Sequence, residues 1–447
     1  MSTEKKVSSK IAWIAVFFIT IVNTISFADR QLPSIMIPEL KADLLLTDTQ
    51  IGFLFGTVFA IFFGIASLVF GILADKGNKR TILFWTILMW SILTGLSGFA
   101  QQFWDLIIFR IGVGVGEAAL GPIALAILAG FFTKEKLPLA LGIFGSGPFL
   151  GSALAAWGGG AVITNISIAR PFLGPLSHLA EWRLTFLVFA LLSLILALLI
   201  RFLPMPKDEI QKDKDNSPVL PFIKKAWKFF ALMFLGVTMT GIIGYSVLAW
   251  GVEMLVRVHD LPKSYAGQNF GLFNIIFGIG GSLGFGLLAS SYMSKGISNA
   301  NLLIAPITLF FCWLSLILFS LASSAIFAQL GLIGLIFFMS AGPGLYASAV
   351  QNASPINLRA RTASIYYISA NVVGFALGPF ALGFLNDNFF NYEDGIRYSL
   401  LTLGIIAYPI SGICFWYAAK LILPLIEKAT NKCCLLYTSP SPRDVEE

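Results

Sequence analysis

The chain of 447 residues is 57% hydrophobic and only 12% charged, with a mean hydropathy of +0.83 and a formal net charge of +7. Soluble domains carry about 25% charged residues, so a water-facing surface and a long disordered chain are both excluded. The basic excess then points to membrane topology rather than to nucleic acid.

A span takes about 20 apolar residues, so twelve spans fill most of the chain and leave no room for a large extramembrane domain. The opening MSTEKKVSSK lacks a small-residue cleavage site, so the first span is expected to be retained. Apolar runs follow near 11–37, 50–74, 81–100, 104–131, 137–164 and 183–203. After a polar stretch they resume near 226–256, 265–292, 301–322, 325–350, 362–385 and 396–425. The expected organisation is an N-terminal six-helix half at 11–203, a charged linker at 204–225 and a C-terminal six-helix half at 226–425. Residues 434–444, CLLYTSPSPRD, read as the translation of a sequencing-library adapter, and 434–447 is expected to be a non-native tail.

Lys and Arg placement sets the expected orientation. With the N-terminus inside, twenty-one of the cations outside that tail fall on the cytoplasmic side and six on the other, with Arg30 and Arg110 at or within spans. A multi-pass protein of the cell inner (plasma) membrane with both termini cytoplasmic is expected. The halves also echo one another. Gly71-Ile72-Leu73-Ala74 closes span 2 as Gly286-Leu287-Leu288-Ala289 closes span 8, and Gly147-Pro148-Phe149 in span 5 resembles Gly378-Pro379-Phe380 in span 11. Duplicated halves are the plan of a rocking transporter.

Ionisable groups inside spans are costly and face a cavity or a partner. Asp29, Arg30, Arg110 and Glu117 qualify. Arg110 and Glu117 share one face of span 4, about 10 Å apart along its axis, which leaves room for Asp29 or Arg30 between them. Gly112 and Gly116 form a small face that admits a neighbouring helix. Burial disfavours a charged carboxylate and a nearby Arg favours it, so a proton taken by Asp29 or Glu117 would free an Arg for an anionic substrate. The plainer alternative is a salt-bridge cluster that fixes helix packing. Asn371 and Gln351 are candidate substrate contacts. Cys312 and Cys414 lie in apolar runs, and Cys433 and Cys434 are adjacent, so neither a disulfide framework nor a metal site is expected, and no cofactor is. A His-Glu-x-x-His catalytic motif and a G-x-x-x-x-G-K-[ST] phosphate loop are absent from the sequence, so the chain is expected not to be an enzyme.

Gly71-Ile72-Leu73-Ala74-Asp75-Lys76-Gly77-Asn78-Lys79-Arg80 joins spans 2 and 3 through a short basic turn. Gly71 is expected to allow close helix approach, and Gly77 or Asn78 to take the left-handed conformation of the turn. This segment resembles the loop 2–3 signature of the major facilitator superfamily, G-x-L-A-D-[RK]-x-G-R-[RK], departing from it at Gly77-Asn78 and at Lys79. The resemblance implies an all-α membrane protein of twelve transmembrane helices in two six-helix halves. It also implies that Asp75, with Gly71, Lys76 and Arg80, forms a cytoplasmic gate against the start of helix 11.

Asn78 narrows the resemblance to the spinster-like branch, as do three other segments. They are Phe27-Ala28-Asp29-Arg30-Gln31, Arg110-Ile111-Gly112-Val113-Gly114-Val115-Gly116-Glu117, and Glu181-Trp182-Arg183. Gly374, Gly378, Pro379 and Asp387 fit helix 11 of that branch. The resemblance implies a proton-coupled secondary active transporter for an amphiphilic or anionic small molecule, lipid-like by analogy with the lysolipids and sphingolipid phosphates carried by this branch in animals. The Asp-Arg pair of helix 1 also resembles the anion:cation symporter branch, which implies a small organic anion instead. The expected partners are a small-molecule substrate, protons and the lipid bilayer, with no nucleic acid, and the expected state is a monomer.

Overall fold

The structure, a computed structural model, describes residues 9–76, 78–132, 137–159, 161–162, 168, 170–206, 219–355, 358, 362, 372–392 and 394–427. Gly77, Arg359, Arg361, Asn371, the middle of the linker and the 434–447 tail lie outside the described residues, as do the side chains of Asp75 and Lys76. In hydrocarbon every backbone polar group must find a partner within the chain, which favours long helices. Among the described residues, eleven helices are long and apolar enough to cross a membrane. They are span 1 (Lys10–Ile35), span 2 (Asp48–Leu73), span 3 (Lys79–Ser97), span 4 (Phe103–Leu128), span 5 (Ala140–Gly159), span 6 (Glu181–Phe202), span 7 (Trp227–His259), span 8 (Lys263–Ser294), span 9 (Ala300–Leu321), span 10 (Ala325–Ala353) and span 12 (Gly395–Leu421). The helix Gly374–Asn388 supplies most of the described part of span 11.

The chain forms two compact units. The first comprises Met1–Gln211, Tyr245–Ile276 and Phe375–Leu400. In it span 3 packs on spans 4 and 6, span 1 on span 5, and span 2 on span 4. Trp90, Trp182, Trp250, Phe55 and Phe59 are among its largest buried apolar side chains. The second unit comprises Lys212–Gly244, Phe277–Gly374 and Leu401–Glu447. Its spans 9 and 10 pair closely around Leu316, Phe319 and Leu332. Span 1 shows how one apolar helix serves two environments. Ala12, Ala15, Ile19 and Val22 are buried, whereas Ile14, Phe17 and Ile21 are exposed at helical spacing. The exposed stripe is the lipid face.

Several helices depart from regularity. Span 4 is interrupted at Ala118–Ala119, immediately after Glu117, and span 5 at Gly145–Ser146, just before Pro148. π-helical turns occupy Phe53–Val58 in span 2, Ala155–Gly159 in span 5 and Asn274–Gly278 in span 8, and residues 372–373 of span 11 are also π-helical. Such turns insert one residue into the helical ladder and often mark functional segments.

At the 2–3 turn the described residues bear on two expectations. Around the position a Gly71 Cβ would take there is no described atom within 4 Å. Among the described residues, then, no helix approaches Gly71 closely. Asn78 has φ −72° and ψ 103°, an extended conformation, and its side chain accepts from the Thr81 N–H at 3.2 Å. It is therefore the N-cap of span 3. A short polar side chain at that position satisfies an otherwise unpaired helix donor, which makes a left-handed turn at Asn78 unnecessary.

Candidate functional site

Spans 1, 3 and 4 bring Asp29, Arg30, Arg110 and Glu117 into one cluster. Asp29 and Glu117 have no exposed surface and Arg110 is 2% exposed, whereas the Arg30 side chain keeps 12% of its surface accessible. Arg30 Nε donates to Glu117 Oε2 at 2.5 Å, and Ser26 Oγ donates to the same oxygen at 2.8 Å. Ser26 and Arg30 stand one helical turn apart on span 1, so both reach one carboxylate. Thr94 of span 3 donates its hydroxyl to Asp29 Oδ2. Arg110 Nη2 donates to the Arg30 carbonyl oxygen at 3.2 Å, and Arg110 Nη1 lies 3.9 Å from Asp29 Oδ1. That separation is an ion pair but too long for a hydrogen bond. Among the described residues, Asp29 Oδ1, Glu117 Oε1 and Arg110 Nε and Nη1 are all buried without a hydrogen-bond partner. The site thus holds two carboxylates, two guanidinium groups and spare donor and acceptor capacity.

Close helix approach builds the cluster. A Cβ on Gly116 would lie 3.0 Å from both the Thr86 carbonyl oxygen and Trp90 Cβ of span 3. One on Gly151 of span 5 would lie 2.5 Å from the Thr24 carbonyl oxygen and 2.6 Å from Phe27 Cβ of span 1. The Gly-rich run in span 5 therefore seats that helix against the charged segment of span 1.

The guanidinium of Arg30 also lies over three aromatic rings, those of Phe27 at 4.5 Å, Phe63 at 4.5 Å and Phe59 at 5.1 Å. Arg110 lies 5.7 Å from Phe59. Phe59 in turn meets Phe375 with ring centroids 5.6 Å apart, and Phe375 stacks on Tyr245 at 4.6 Å. These aromatic partners were not singled out as site residues from the sequence. Their signal was present in the Phe-rich stretch of span 2, where Phe55, Phe59 and Phe63 recur at helical spacing.

The other predicted residues make contacts of their own or lie outside the described set. Arg80 Nη2 donates to the Leu203 carbonyl oxygen at 2.8 Å, tying the start of span 3 to the end of span 6. Gln351 is exposed near the end of span 10, and Asn371 lies outside the described residues. At the other end of span 6, Trp182 Nε1 donates to Asp43 Oδ2 at 2.9 Å and Arg183 Nη2 donates to it at 3.0 Å. This clamp gives the Trp-Arg pair a structural task. Glu253 was missed altogether. It is a buried carboxylate inside span 7, and Arg257, one turn later, donates its Nε to Oε1 at 2.6 Å. The i, i+4 spacing within an apolar run was its sequence signal.

Comparison with known proteins gives this geometry its context. The sequence pattern of the Major Facilitator Superfamily matches residues 19–379. An MFS-type efflux pump of Mycolicibacterium smegmatis is 25% identical over 428 residues, covering 94% of this chain and 95% of the relative. A hexuronate transporter of Bacillus subtilis is 24% identical, covering 83% of this chain and 87% of its own length. Spinster homologues recur among further relatives. Among solved structures, a bacterial homologue of the human lysosomal transporter spinster, in an inward-facing and unoccupied conformation, aligns with a TM-score of 0.79 at 20% identity, covering 94% of this chain and 99% of that one. The chain belongs to the Major Facilitator Superfamily, a family of multi-pass secondary transporters rather than enzymes.

Proposed function

We propose that this major facilitator chain carries an amphiphilic anion by alternating access, coupled to protons through Asp29, Arg30, Arg110 and Glu117. The observation that carries the reading is the asymmetry of Arg30. It is the one member of the cluster with appreciable accessible surface, it is bound to a fully buried carboxylate, and it lies over three aromatic rings. When Glu117 is charged, Arg30 is held by it. When Glu117 takes a proton, the charge-assisted bond weakens and the guanidinium turns to an anionic substrate group, while the rings accommodate apolar surface. Asp29 and Arg110 form the second acid–base pair of the same network. Four charges confined to spans 1 and 4 are more than helix packing calls for, since each is costly in hydrocarbon.

In this reading the two six-helix halves, 11–203 and 226–425, rock about the substrate, and the linker at 204–225 joins them. The Lys and Arg distribution supports an inner (plasma) membrane location with both termini and the 2–3 turn in the cytoplasm. Asp75, with Gly71, Lys76 and Arg80, is assigned to the cytoplasmic gate, and Asn371 and Gln351 to substrate contacts. The functional unit is a monomer.

Small organic anions are the second reading, favoured by the likeness to a hexuronate transporter along most of both chains. Uptake of a labelled lysophosphatidate and of labelled glucuronate by proteoliposomes separates the two. Saturable uptake of the lysolipid supports the amphiphile, and uptake of glucuronate alone replaces it with the sugar acid. If Arg30→Ala transports either substrate as well as the parent, Arg30 has no place in substrate binding.

A further inference from the structure

A second ionic network, sharing no residue with the acid–base cluster, lies at the 1–2 loop end of the first unit and is built from spans 2, 7 and 11. Asp48 opens span 2 and is 1% exposed. Its carboxylate accepts four donors: Arg257 Nη1 at 2.7 Å and Nη2 at 3.0 Å, Lys41 Nζ at 2.5 Å, and Asn386 Nδ2 at 2.6 Å. Arg257 is held from its other side by Glu253. Next to Asn386, Asp387 crosses in the opposite sense. It accepts the Asp48 N–H at 3.2 Å, the Thr49 N–H at 2.6 Å and the Thr49 hydroxyl at 2.5 Å.

The first N–H groups of a helix have no partner within it, and the dipole there favours an anion. Thr47 caps the start of span 2 within its own loop through the Gln50 N–H. The remaining donors are met by a carboxylate from the far end of span 11. Two glycines make the approach possible. A Cβ on Gly52 would stand 2.2 Å from the Pro379 carbonyl oxygen, and one on Gly383 would stand 2.2 Å from the Asp48 carbonyl oxygen. In both cases the obstacle is backbone, which cannot rotate away. Span 2 and span 11 are therefore in backbone contact over this stretch, and the charges seal it. Nearer water, Lys263 of span 8 pairs with Glu39 of the 1–2 segment.

We propose that Asp48, Arg257 and Asp387 form a latch that holds the 1–2 loop end shut, and that releasing it sets how often that end opens. The proposal rests on the carrier reading for its purpose but not for its test. A carrier that opens at this end must part the start of span 2 from spans 7 and 11, leaving Asp48, Arg257 and two backbone donors without these partners. Buried pairs stripped of one partner are strongly destabilising. The shut state is therefore favoured until water or substrate replaces what is lost.

The test uses the full chain in lipid nanodiscs, with Cys433 and Cys434 replaced by Ser and spin labels at Leu45→Cys and Phe389→Cys. Both positions are exposed and flank the latch within the first unit. The parent gives one short distance. Asp387→Ala adds a longer one and raises the ratio of long to short populations by about fivefold, the effect of losing one helix cap. Should Asp387→Ala fail to yield monodisperse protein, Thr49→Val removes one of the bonds without unpairing a buried charge, and the same shift in smaller measure is expected. An unchanged distance distribution in a well-folded variant overturns the latch. Uptake assays on the same proteins keep the two readings apart. Variants that open while even the parent transports neither probe contradict the carrier reading alone, and a transporting parent whose distances do not respond contradicts the latch alone.

Discussion

Arg30 is the residue on which the account turns, because two kinds of partner compete for one guanidinium. Its Nε is engaged by Glu117 and its face by Phe27, Phe59 and Phe63. Lysine keeps the charge but loses both the planar stack and the forked donors. Arg30→Lys is therefore expected to weaken substrate binding by about 1–2 kcal/mol, the range of a partly desolvated cation–π contact with its hydrogen bond. Isothermal titration with the transported probe measures this, and an unchanged Kd contradicts it. Glu117→Gln keeps the shape and removes the titratable group. Exchange of substrate across the membrane should survive, while accumulation driven by a pH gradient should fall by about tenfold or more, the factor that ~1.4 kcal/mol of lost coupling represents. Asp29 and Glu117 stood out in the sequence because a charge inside an apolar run is conspicuous. The residues around them did not. Ser26, Thr94 and the three phenylalanines are ordinary constituents of any membrane helix, and only packing reveals that they converge.

At the scale of the helix, irregularity is concentrated where spans carry charge or meet. Span 4 breaks directly after Glu117, and π turns interrupt spans 2, 5 and 8 and the described start of span 11. Helical periodicity does not register a single inserted residue, so none of these was legible beforehand. Small residues were easier to read, though not their neighbours. Gly116 faces the backbone of Thr86 and the Cβ of Trp90, whereas Gly112 faces only the tip of the Leu93 side chain, 2.3 Å from its would-be Cβ. Gly116→Ala should therefore destabilise by about 1–3 kcal/mol through overpacking against rigid atoms. Gly112→Ala should cost less, because Leu93 can change rotamer. Thermal unfolding of both variants in detergent checks the order, and a larger loss for Gly112→Ala would falsify it. Asn78→Ala removes the N-cap of span 3 and should cost about 1 kcal/mol, read in the same assay.

Across the whole chain, composition alone dictated a membrane protein, and the spacing of apolar runs laid out the span order. The charged cluster was legible because hydrocarbon penalises every exception. The Asp48–Arg257–Asp387 network was hidden for the opposite reason. Its members sit at the ends of apolar runs, where charge is commonplace and carries no information until the chain folds. The π turns begin at 53 and 274 in spans 2 and 8, and at 155 and, among the described residues, 372 in spans 5 and 11. The turns thus fall in corresponding spans of the proposed duplicated halves but not at corresponding positions, since Ala155 follows Pro148 in span 5 whereas residue 372 precedes Pro379 in span 11. In the proposed carrier the coupling groups lie in spans 1 and 4.

The most direct measurement of the central claim is accumulation of labelled lysophosphatidate and glucuronate in proteoliposomes under an imposed pH gradient, with the parent beside the Asp29→Asn/Glu117→Gln double variant. The account predicts that the parent concentrates one of these probes above equilibrium and that the double variant only equilibrates it. Accumulation by the double variant equal to that of the parent, or accumulation by the parent that ignores the gradient, would contradict it.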